Sequence, residues 1–259
     1  MEKLAISIRN YNKENFHEII DAIENAGFKN VFIEWYNDDL ELQQNILEYV
    51  RYKGLNVIFA HLGYQNSNAL WKEGAEGENE TERYIRDIAI CKEKGISLVI
   101  IHPTREYENP GLNEIGLKRI ERIIKFAKEK DVKVAFENIE LRGYLEYIIK
   151  NIKSDKLGIC FDAGHSNLFW NGEFNTELFK NKVFAIHLHD NYKVIDDHYL
   201  PFDGTVDWNH VARQINDMEY NGYICIESGY SHFYKDLTLE EYYIEAYKRG
   251  IKLIELLSK

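Results

Sequence analysis

The sequence predicts a single α/β domain, residues 1–259, folded as one (β/α)₈ barrel. Two observations lead to this prediction: the pattern of a helix end followed by an apolar strand recurs along the chain, and eight such strands can be counted. In each unit a helix ends in basic residues, usually with Gly, and a β-branched apolar run follows that stops at a polar residue. Basic residues and Gly suit a helix C-terminus, and runs apolar on both faces are typical of buried parallel strands. The clearest copies are ENAGFKNVFIEW (24–35), RYKGLNVIFAHL (51–62), KEKGISLVIIHP (92–103) and KEKDVKVAFENI (128–139).

Eight strands follow from counting these units, and a helix can be drawn after each. The strands are expected near residues 4–8, 31–35, 56–61, 97–102, 132–137, 157–162, 183–189 and 223–227. Eight βα units in a chain of 259 residues are typical of a closed barrel. A doubly wound open sheet is the alternative, but no G-x-G-x-x-G motif follows the first strand.

The segments between the strands have helical periodicity and two long interruptions. Apolar residues recur at i, i+3, i+4 and i+7 in three segments, which predicts helices over 14–26, 114–127 and 239–257. The stretches 62–80 and 190–207 are predicted to be loops after strands 3 and 7. Both lie at the carboxyl ends of strands, the face that carries the chemistry in barrel enzymes.

Composition limits which partners the protein is expected to bind and where in the cell it is expected to be. The formal net charge is −11, which disfavours a general polyanion binder. The three cysteines are widely spaced without a C-x-x-C motif, so neither disulfides nor a thiolate zinc site is expected. The start of the sequence lacks the apolar stretch of a signal peptide, and no run of about 18 apolar residues occurs. A cytoplasmic protein without a membrane span is therefore expected.

Acidic and imidazole side chains end seven of the eight predicted strands. They are Glu34, His61, His102, Glu137, Asp162, His187 and Glu227. A barrel directs these strand ends to one mouth, where clustered carboxylates repel unless a cation lies between them. Mixed Asp, Glu and His ligands suit zinc, manganese or another first-row divalent ion. Any one of these residues alone is well explained as a hydrogen-bonded strand end, but the whole set is not, because unpaired buried charges cost several kcal/mol.

Two short motifs add further acid–imidazole pairs. GICFDAGHSN (158–167) places Asp162 and His165 on either side of Ala-Gly, and IDDHYLPFDG (195–204) places Asp196 two residues before His198. In each motif both side chains can reach a common point. An ordinary turn is the alternative, since Asp and His are frequent in turns.

These motifs, HLHDN, FDAGH, FEN and DDHYLPFDGTVDW, resemble those of the xylose-isomerase-like TIM-barrel superfamily from VFIEW to YICIESG. That superfamily holds sugar isomerases and epimerases and also the endonuclease IV type of abasic-site nuclease. The resemblance implies a metal quartet of Glu137, Asp162, His187 and Glu227, with Glu137 and Glu227 as the catalytic proton carriers. The nuclease branch implies additional metal ligands at His61, His102, His165, Asp196 and His198. Substrate contacts are expected from His165, His189, Lys193 and Trp35. The cofactor would be a divalent ion, first zinc or manganese, then magnesium or cobalt.

Departures from the family patterns shape the functional prediction. The loop after strand 2, YNDDLELQQ, is acidic and residues 62–80 hold one Lys and no Arg, so nucleic acid is not the expected partner. Gly143 and Lys193 occupy the positions of a sugar-gripping Glu and Arg of the ketose 3-epimerase branch, which argues against that specific activity. The sequence therefore predicts a metal-dependent isomerase or epimerase of a small sugar, sugar phosphate or polyol. The alternatives are a multinuclear zinc phosphodiesterase and a barrel that binds metal or sugar without turnover. The oligomeric state stays open, a homo-oligomer included.

Overall fold

The computed structural model describes residues 3–35, 39–105 and 108–258, and its strands form one parallel eight-stranded sheet. The strands are β1 (Leu4–Ile8), β2 (Asn30–Trp35), β3 (Asn56–Leu62), β4 (Leu98–Ile101), β5 (Lys133–Glu137), β6 (Leu157–Asp162), β7 (Val183–His187) and β8 (Ile224–Ile226). Their order is β7-β6-β5-β4-β3-β2-β1-β8, so each strand lies beside its neighbour in sequence and β8 lies beside β1. The predicted (β/α)₈ barrel is confirmed, and the strands differ from their predicted ranges only at their ends.

The barrel closes between β7 and β8 through Leu188, the residue after β7. The Leu188 amide donates to the Cys225 carbonyl at 2.8 Å, and the Glu227 amide donates to the Leu188 carbonyl at 3.1 Å. Leu188 and Ile226 form a parallel bridge there. Closure brings the carboxyl ends of β7 and β8 side by side, which the site described below requires.

Helices cover the outside of the sheet. They are α1 (Phe16–Asn25), α2 (Leu40–Tyr52), α3 (Ala75–Glu93), α4 (Glu114–Glu129), α5 (Tyr144–Asn151), α6 (Ala163–Trp170), α7 (Thr176–Phe179), α8 (Trp208–Asp217) and α9 (Leu239–Leu257), with 3₁₀ turns at Ser67–Trp71 and His232–Tyr234. The three helices predicted from periodicity are α1, α4 and α9. Within the described parts of the chain, no helix is long and apolar enough to cross a bilayer.

The predicted loop 62–80 is wrong in its last third, where α3 already begins at Ala75. The glycine-rich, acidic sequence disguised this helix start. Gly77 is required for packing and not for a turn, because a Cβ there would lie 2.0 Å from Arg119 Nη1. The Arg119 guanidinium donates to the Leu70 carbonyl at 2.9 Å and fastens the loop to α4.

Alternation along the strands divides the core into two layers. Each strand contributes one fully buried apolar residue to the barrel interior: Ala5, Phe32, Phe59, Ile100, Ala135, Cys160, Ala185 and Cys225. The larger cluster lies between sheet and helices. Small residues at five of the eight interior positions leave room for the aromatic rings of Phe32 and Phe59, which lie 4.6 Å apart. Both interior cysteines are buried and free, as is Cys91.

The loop after β3 is fixed to the end of β4 by Trp71. The indole Nε1 donates to the Pro103 carbonyl at 2.7 Å, one residue beyond His102. Its ring packs against Gly116 of α4 so closely that a Cβ there would lie 2.2 Å from Trp71 Cε3. Trp71 therefore links α4 to the strand end that carries His102.

Gly116→Ala tests this packing. Helix propensity alone would stabilise the variant by about 1 kcal/mol, but displacement of the Trp71 ring is expected to outweigh that gain. We expect the free energy of unfolding to fall by about 1–3 kcal/mol, measured by urea denaturation. Glu121→Ala, at an exposed position of the same helix, is the control. Equal stability of Gly116→Ala and the control would contradict the packing.

Candidate metal centre

Polar side chains from the carboxyl ends of the strands meet in one small pocket. It is lined by Arg9, Glu34, His61, Tyr64, His102, Glu137, His165, Asp196, His198 and Glu227. The volume between them is about 30 Å³, which is room for an ion or a water molecule. Because the barrel aims every strand end at the same mouth, residues far apart in sequence become neighbours here.

The central set consists of Glu137, Asp162, His187 and Glu227, all buried. His187 Nδ1 lies 2.8 Å from Glu137 Oε1, 3.3 Å from Glu227 Oε2 and 3.9 Å from Asp162 Oδ2. Donors about 2.1 Å from an ion at tetrahedral corners are about 3.4 Å apart. The four donor atoms are therefore spaced as ligands of one ion are.

Unpartnered oxygen atoms provide the test of fit for a cation. Within the described residues, Asp162 Oδ2 and Glu227 Oε2 are buried and accept no hydrogen bond. Such atoms are costly in a dry site. Three carboxylates around one imidazole also leave an excess of negative charge that a divalent ion would neutralise. The residues present thus fit a divalent metal, the cofactor class that the sequence predicts.

The same charges shift the protonation of the set. Burial alone would raise the pKa of Glu227. The nearby charges of His187, Arg9 and His198 have the larger effect and lower it to about 2. Burial lowers the pKa of His187, but the carboxylates of Glu227 and Glu137 raise it to about 9. Without a cation, carboxylate and imidazolium would therefore compensate each other, with a proton on His187 Nδ1, the atom whose lone pair would bind the ion.

A second set shares Glu137. Its other oxygen, Oε2, lies 3.0 Å from His61 Nε2 and 3.1 Å from His102 Nε2, and these two nitrogen atoms are 3.2 Å apart. Burial lowers the pKa of His102 to about 4 despite the nearby Glu137, so its imidazole is neutral. The two oxygens of Glu137 therefore face two different donor sets, as in a bridging carboxylate.

A third set consists of His165, His189, Asp196 and His198. Asp196 Oδ2 lies 3.2 Å from His165 Nε2 and 2.9 Å from His198 Nε2. His189 Nε2 lies 3.6 Å from Asp196 Oδ1 and 3.1 Å from Asp162 Oδ1. Through Asp162, this third set adjoins the central one.

Backbone carbonyls orient three of the histidines. Nδ1 of His61 lies 3.2 Å from the Leu62 carbonyl, Nδ1 of His165 lies 2.9 Å from the Asn138 carbonyl, and Nδ1 of His198 lies 2.9 Å from the Glu227 carbonyl. A carbonyl only accepts, so the contacts of His61 and His165 place the proton on Nδ1 and leave the Nε2 lone pair directed at the cluster. This is the usual support of metal-binding histidines. Nδ1 of His198 also lies 2.7 Å from Arg9 Nη1, so its carbonyl contact does not fix the tautomer.

Local hydrogen bonds fix Asp162 at the start of α6. Its Oδ1 accepts from the His165 amide at 2.6 Å and caps the helix. Asn138 and Asp162 are joined twice: the Asp162 amide donates to Asn138 Oδ1 at 2.7 Å, and Asn138 Nδ2 donates to the Asp162 carbonyl at 2.8 Å. The FEN and FDAGH motifs therefore hold each other in register.

The structure brings the nine residues predicted as metal ligands together, and it places three of the four predicted substrate contacts outside the pocket lining. Trp35 is 1% exposed in the outer cluster, because strand alternation turns Glu34 inward and Trp35 outward. Lys193 is exposed and donates to Asn171 Oδ1 at 3.0 Å, outside the pocket lining. His189 is fully buried behind the lining residues. Of the four predicted contacts, His165 lines the pocket.

Arg9 and Tyr64 are pocket residues that sequence reasoning missed. Arg9 follows β1 directly, and its guanidinium lies 3.2 Å from Glu34 Oε1 and 3.4 Å from Glu227 Oε1. The signal was present in ISIRN, since a charged residue also follows the first strand, although it is a base and not an acid or an imidazole. The Tyr64 ring stacks on His102 with 4.1 Å between centroids.

The fold and the site together define a class: a (β/α)₈ barrel whose strand ends form a carboxylate–imidazole centre suited to divalent metal. The chain belongs to the xylose isomerase-like TIM barrel family, whose profile matches residues 20–254.

Solved structures resemble this chain over nearly its whole length. A D-tagatose 3-epimerase-like protein is 19% identical with a TM-score of 0.76, covering 99% of this chain and 98% of its own. The IolI protein with a bound zinc atom is 18% identical with a TM-score of 0.74, over 99% and 98%. D-psicose 3-epimerase from Clostridium cellulolyticum H10, solved with D-tagatose, is 12% identical with a TM-score of 0.71, also over 99% and 98%. At these identities the likeness supports the fold alone.

Two curated relatives match part of the chain. The uncharacterized protein y4fM of Sinorhizobium fredii is 32% identical over 140 residues, 54% of this chain and 44% of that protein. The uncharacterized protein MJ1311 of Methanocaldococcus jannaschii is 29% identical over 147 residues, 51% of this chain and 50% of that protein. Each match thus spans about half the length of the relative.

The loop 190–207, which carries Asp196 and His198, depends on one buried carboxylate. Asp190 accepts from the Val206 amide at 2.9 Å, the Phe202 amide at 3.1 Å and Trp208 Nε1 at 3.0 Å. A single side chain thus draws the two ends of the loop together and sets the positions of Asp196 and His198.

Asp190→Asn tests this role. The NH₂ group of the new amide would face the N–H donors that now bind the Asp190 carboxylate. We therefore expect the free energy of unfolding to fall by about 1–3 kcal/mol. Limited proteolysis should cleave within 190–207 faster than in the wild type. Asp236→Asn, at an exposed position, is the matched control, and similar cleavage rates in both variants would refute the role.

Proposed function

We propose that this protein is a divalent-metal-dependent isomerase or epimerase of a small carbohydrate. The convergence of Glu137 Oε1, Asp162 Oδ2, His187 Nδ1 and Glu227 Oε2 at the mouth of the barrel carries the proposal. The similar structures described as epimerases support the carbohydrate substrate class, and the zinc-bound IolI structure supports the metal.

These four residues would hold the ion. Bound there, a divalent ion supplies Lewis acidity toward a carbonyl or hydroxyl oxygen and makes the neighbouring C–H more acidic. Zinc and manganese suit the mixed carboxylate and imidazole donors best, with magnesium and cobalt as further candidates.

Two glutamates would carry the proton. Glu137 and Glu227 come from β5 and the end of β8, and both line the pocket. One would remove the proton beside the carbonyl, and either would return it. Return to the opposite face of the same carbon gives an epimer. Return to the adjacent carbon, with the hydroxyl proton passing from one oxygen to the other, gives an isomer. Arg9 holds Glu227 Oε1 and so directs Oε2 to the pocket.

Substrate hydroxyls would meet the polar rim of the pocket. Arg9 and Tyr64 line the pocket and are the proposed contacts in place of Lys193 and Trp35. His165 also lines it and would contact a hydroxyl only while its Nε2 binds no ion. The small volume of the pocket indicates that a sugar would lie above the centre, with only its chelating oxygen atoms entering.

The first test is metal content. Protein purified without chelator is expected to contain at least one divalent ion per chain, measured by inductively coupled plasma mass spectrometry. Adding zinc or manganese to stripped protein should raise the melting temperature, because an ion that binds only the folded state stabilises it. Asp162→Asn should lower metal content and the melting shift. A stripped protein that gains neither metal nor stability would reject the centre.

Glu137→Gln tests proton transfer. On a panel of ketoses, aldoses and their phosphates, turnover is expected to fall by about 10²–10⁴-fold, while circular dichroism stays unchanged. Solvent deuterium incorporation at the reacting carbon would report the same step independently. Glu121→Gln, at an exposed site on α4, is the control. Full activity in Glu137→Gln would exclude the role.

Metal-dependent phosphodiester hydrolysis is the second candidate. The observation that favours it is Glu137, whose two oxygens face His187 on one side and His61 with His102 on the other. Adjacent ions stabilise attacking and leaving oxygens in such hydrolysis. The acidic stretch after β2 argued against nucleic acid, but its residues 40–44 belong to α2 and not to a loop. Residues 36–38 lie outside the described part of the chain.

Substrate assays separate these functions. The metal-loaded protein is incubated in parallel with the sugar panel and with an abasic duplex or a simple phosphodiester. Turnover of a sugar alone supports the first proposal, and cleavage of the diester alone supports the second. Metal binding without turnover of either substrate class would favour the non-catalytic barrel.

A further inference from the structure

We infer that His189 is a metal ligand, and that His165, His189, Asp196 and His198 form a closed cation site that fastens the loop 190–207 to the barrel. This inference deepens the proposed function, because the site adjoins the central set. It rests on the donor atoms and not on the reaction, so it can fail independently.

The first support is the unpartnered state of His189. The residue is fully buried, and within the described residues neither ring nitrogen makes a hydrogen bond. Its Nε2 nevertheless lies 3.1 Å from Asp162 Oδ1 and 3.6 Å from Asp196 Oδ1. Burying Nε2 without a well-formed hydrogen bond is costly, and a cation between this nitrogen and the two carboxylate oxygens would supply the missing interaction for Nε2.

The second support is the space made for the ring. Gly164 of α6 lies against His189, and a Cβ at that position would be 2.0 Å from His189 Cε1. On its other side the ring stacks on His198 with 4.0 Å between centroids. The position of His189 is thus determined by backbone on one side and by another donor on the other.

The third support is the readiness of the other donors. His165 gives its Nδ1 proton to the Asn138 carbonyl, which leaves its Nε2 for a cation, and Nδ1 of His198 lies 2.9 Å from the Glu227 carbonyl. Arg9 Nη1 also lies 2.7 Å from His198 Nδ1. A guanidinium and an N–H cannot both donate across that contact, so an ion on Nε2 would fix the proton on Nδ1 and turn Arg9 toward Glu34 and Glu227.

Four side-chain donors make this a closed site. Structural zinc sites use four protein ligands, whereas catalytic sites keep a position for water or substrate. Three imidazoles and one carboxylate favour zinc over magnesium or calcium. An ion here would take no substrate oxygen; it would join Asp196 and His198 of the loop to His165 and His189 of the barrel.

Paired variants test the ligand role. In His189→Asn the side chain is too short to reach, and His189→Phe keeps the ring volume without a donor. Either variant should bind one equivalent of zinc fewer than the wild type, with affinity at that site weakened by more than ~100-fold. His17→Asn, at an exposed histidine, is the control. An unchanged zinc count in a folded His189 variant overturns the inference.

Two readouts other than turnover complete the test. With Co²⁺ in place of zinc, the wild type should show the intense visible bands of a tetrahedral ion, and the variants should lose intensity. Zinc should protect the loop 190–207 from protease in the wild type and not in the variants. Loss of the zinc equivalent with normal sugar turnover would support this site alone, whereas absent turnover with both ions bound would reject only the proposed function.

Anomalous diffraction from zinc-loaded wild-type crystals tests the site without any variant. A peak about 2.0–2.2 Å from donor atoms of His165, His189, Asp196 and His198 supports the inference. A peak at the other three residues with water in place of His189, or no peak, overturns it.

Discussion

Repulsion among buried carboxylates is the constraint that governs the rest of this structure. Closing the sheet through Leu188 places Glu137, Asp162 and Glu227 around His187, where little water can enter. The barrel cannot relieve the repulsion by moving one strand, since each is paired on both sides. Compensation must therefore come from protons on the imidazoles or from a cation. That choice would make the centre responsive to metal, because a bound ion would take over a charge that the fold already needs.

Much of the remaining structure maintains the strand ends that create this charge density. Trp71 binds the carbonyl next to His102, Asn138 and Asp162 hold β5 and β6 in register, and Asp190 gathers the loop after β7. These contacts are buried polar interactions supported by apolar packing. They resist collapse of the pocket, so the donor atoms stay spaced for an ion whether or not one is bound.

The strand ends were predictable because parallel strands buried on both faces stand out in sequence, and the polar residue that stops each run is unambiguous. Side-chain direction was harder. Trp35 follows Glu34 directly, and strict alternation would have placed it outward, whereas nothing local revealed that Lys193 pairs with Asn171. The start of α3 was hidden because Gly77 serves packing against Arg119, a contact between residues distant in sequence.

Sharing of Glu137 ties the number of bound ions to the identity of the proton carrier. If only the central set holds an ion, His102 Nε2 can donate a hydrogen bond to Glu137 Oε2, and this carboxylate remains able to exchange a proton. If those histidines also hold an ion, both oxygens of Glu137 are ligands, and proton transfer falls to Glu227, which Arg9 orients. A sugar isomerase therefore fits the first loading state, and the hydrolase alternative fits the second.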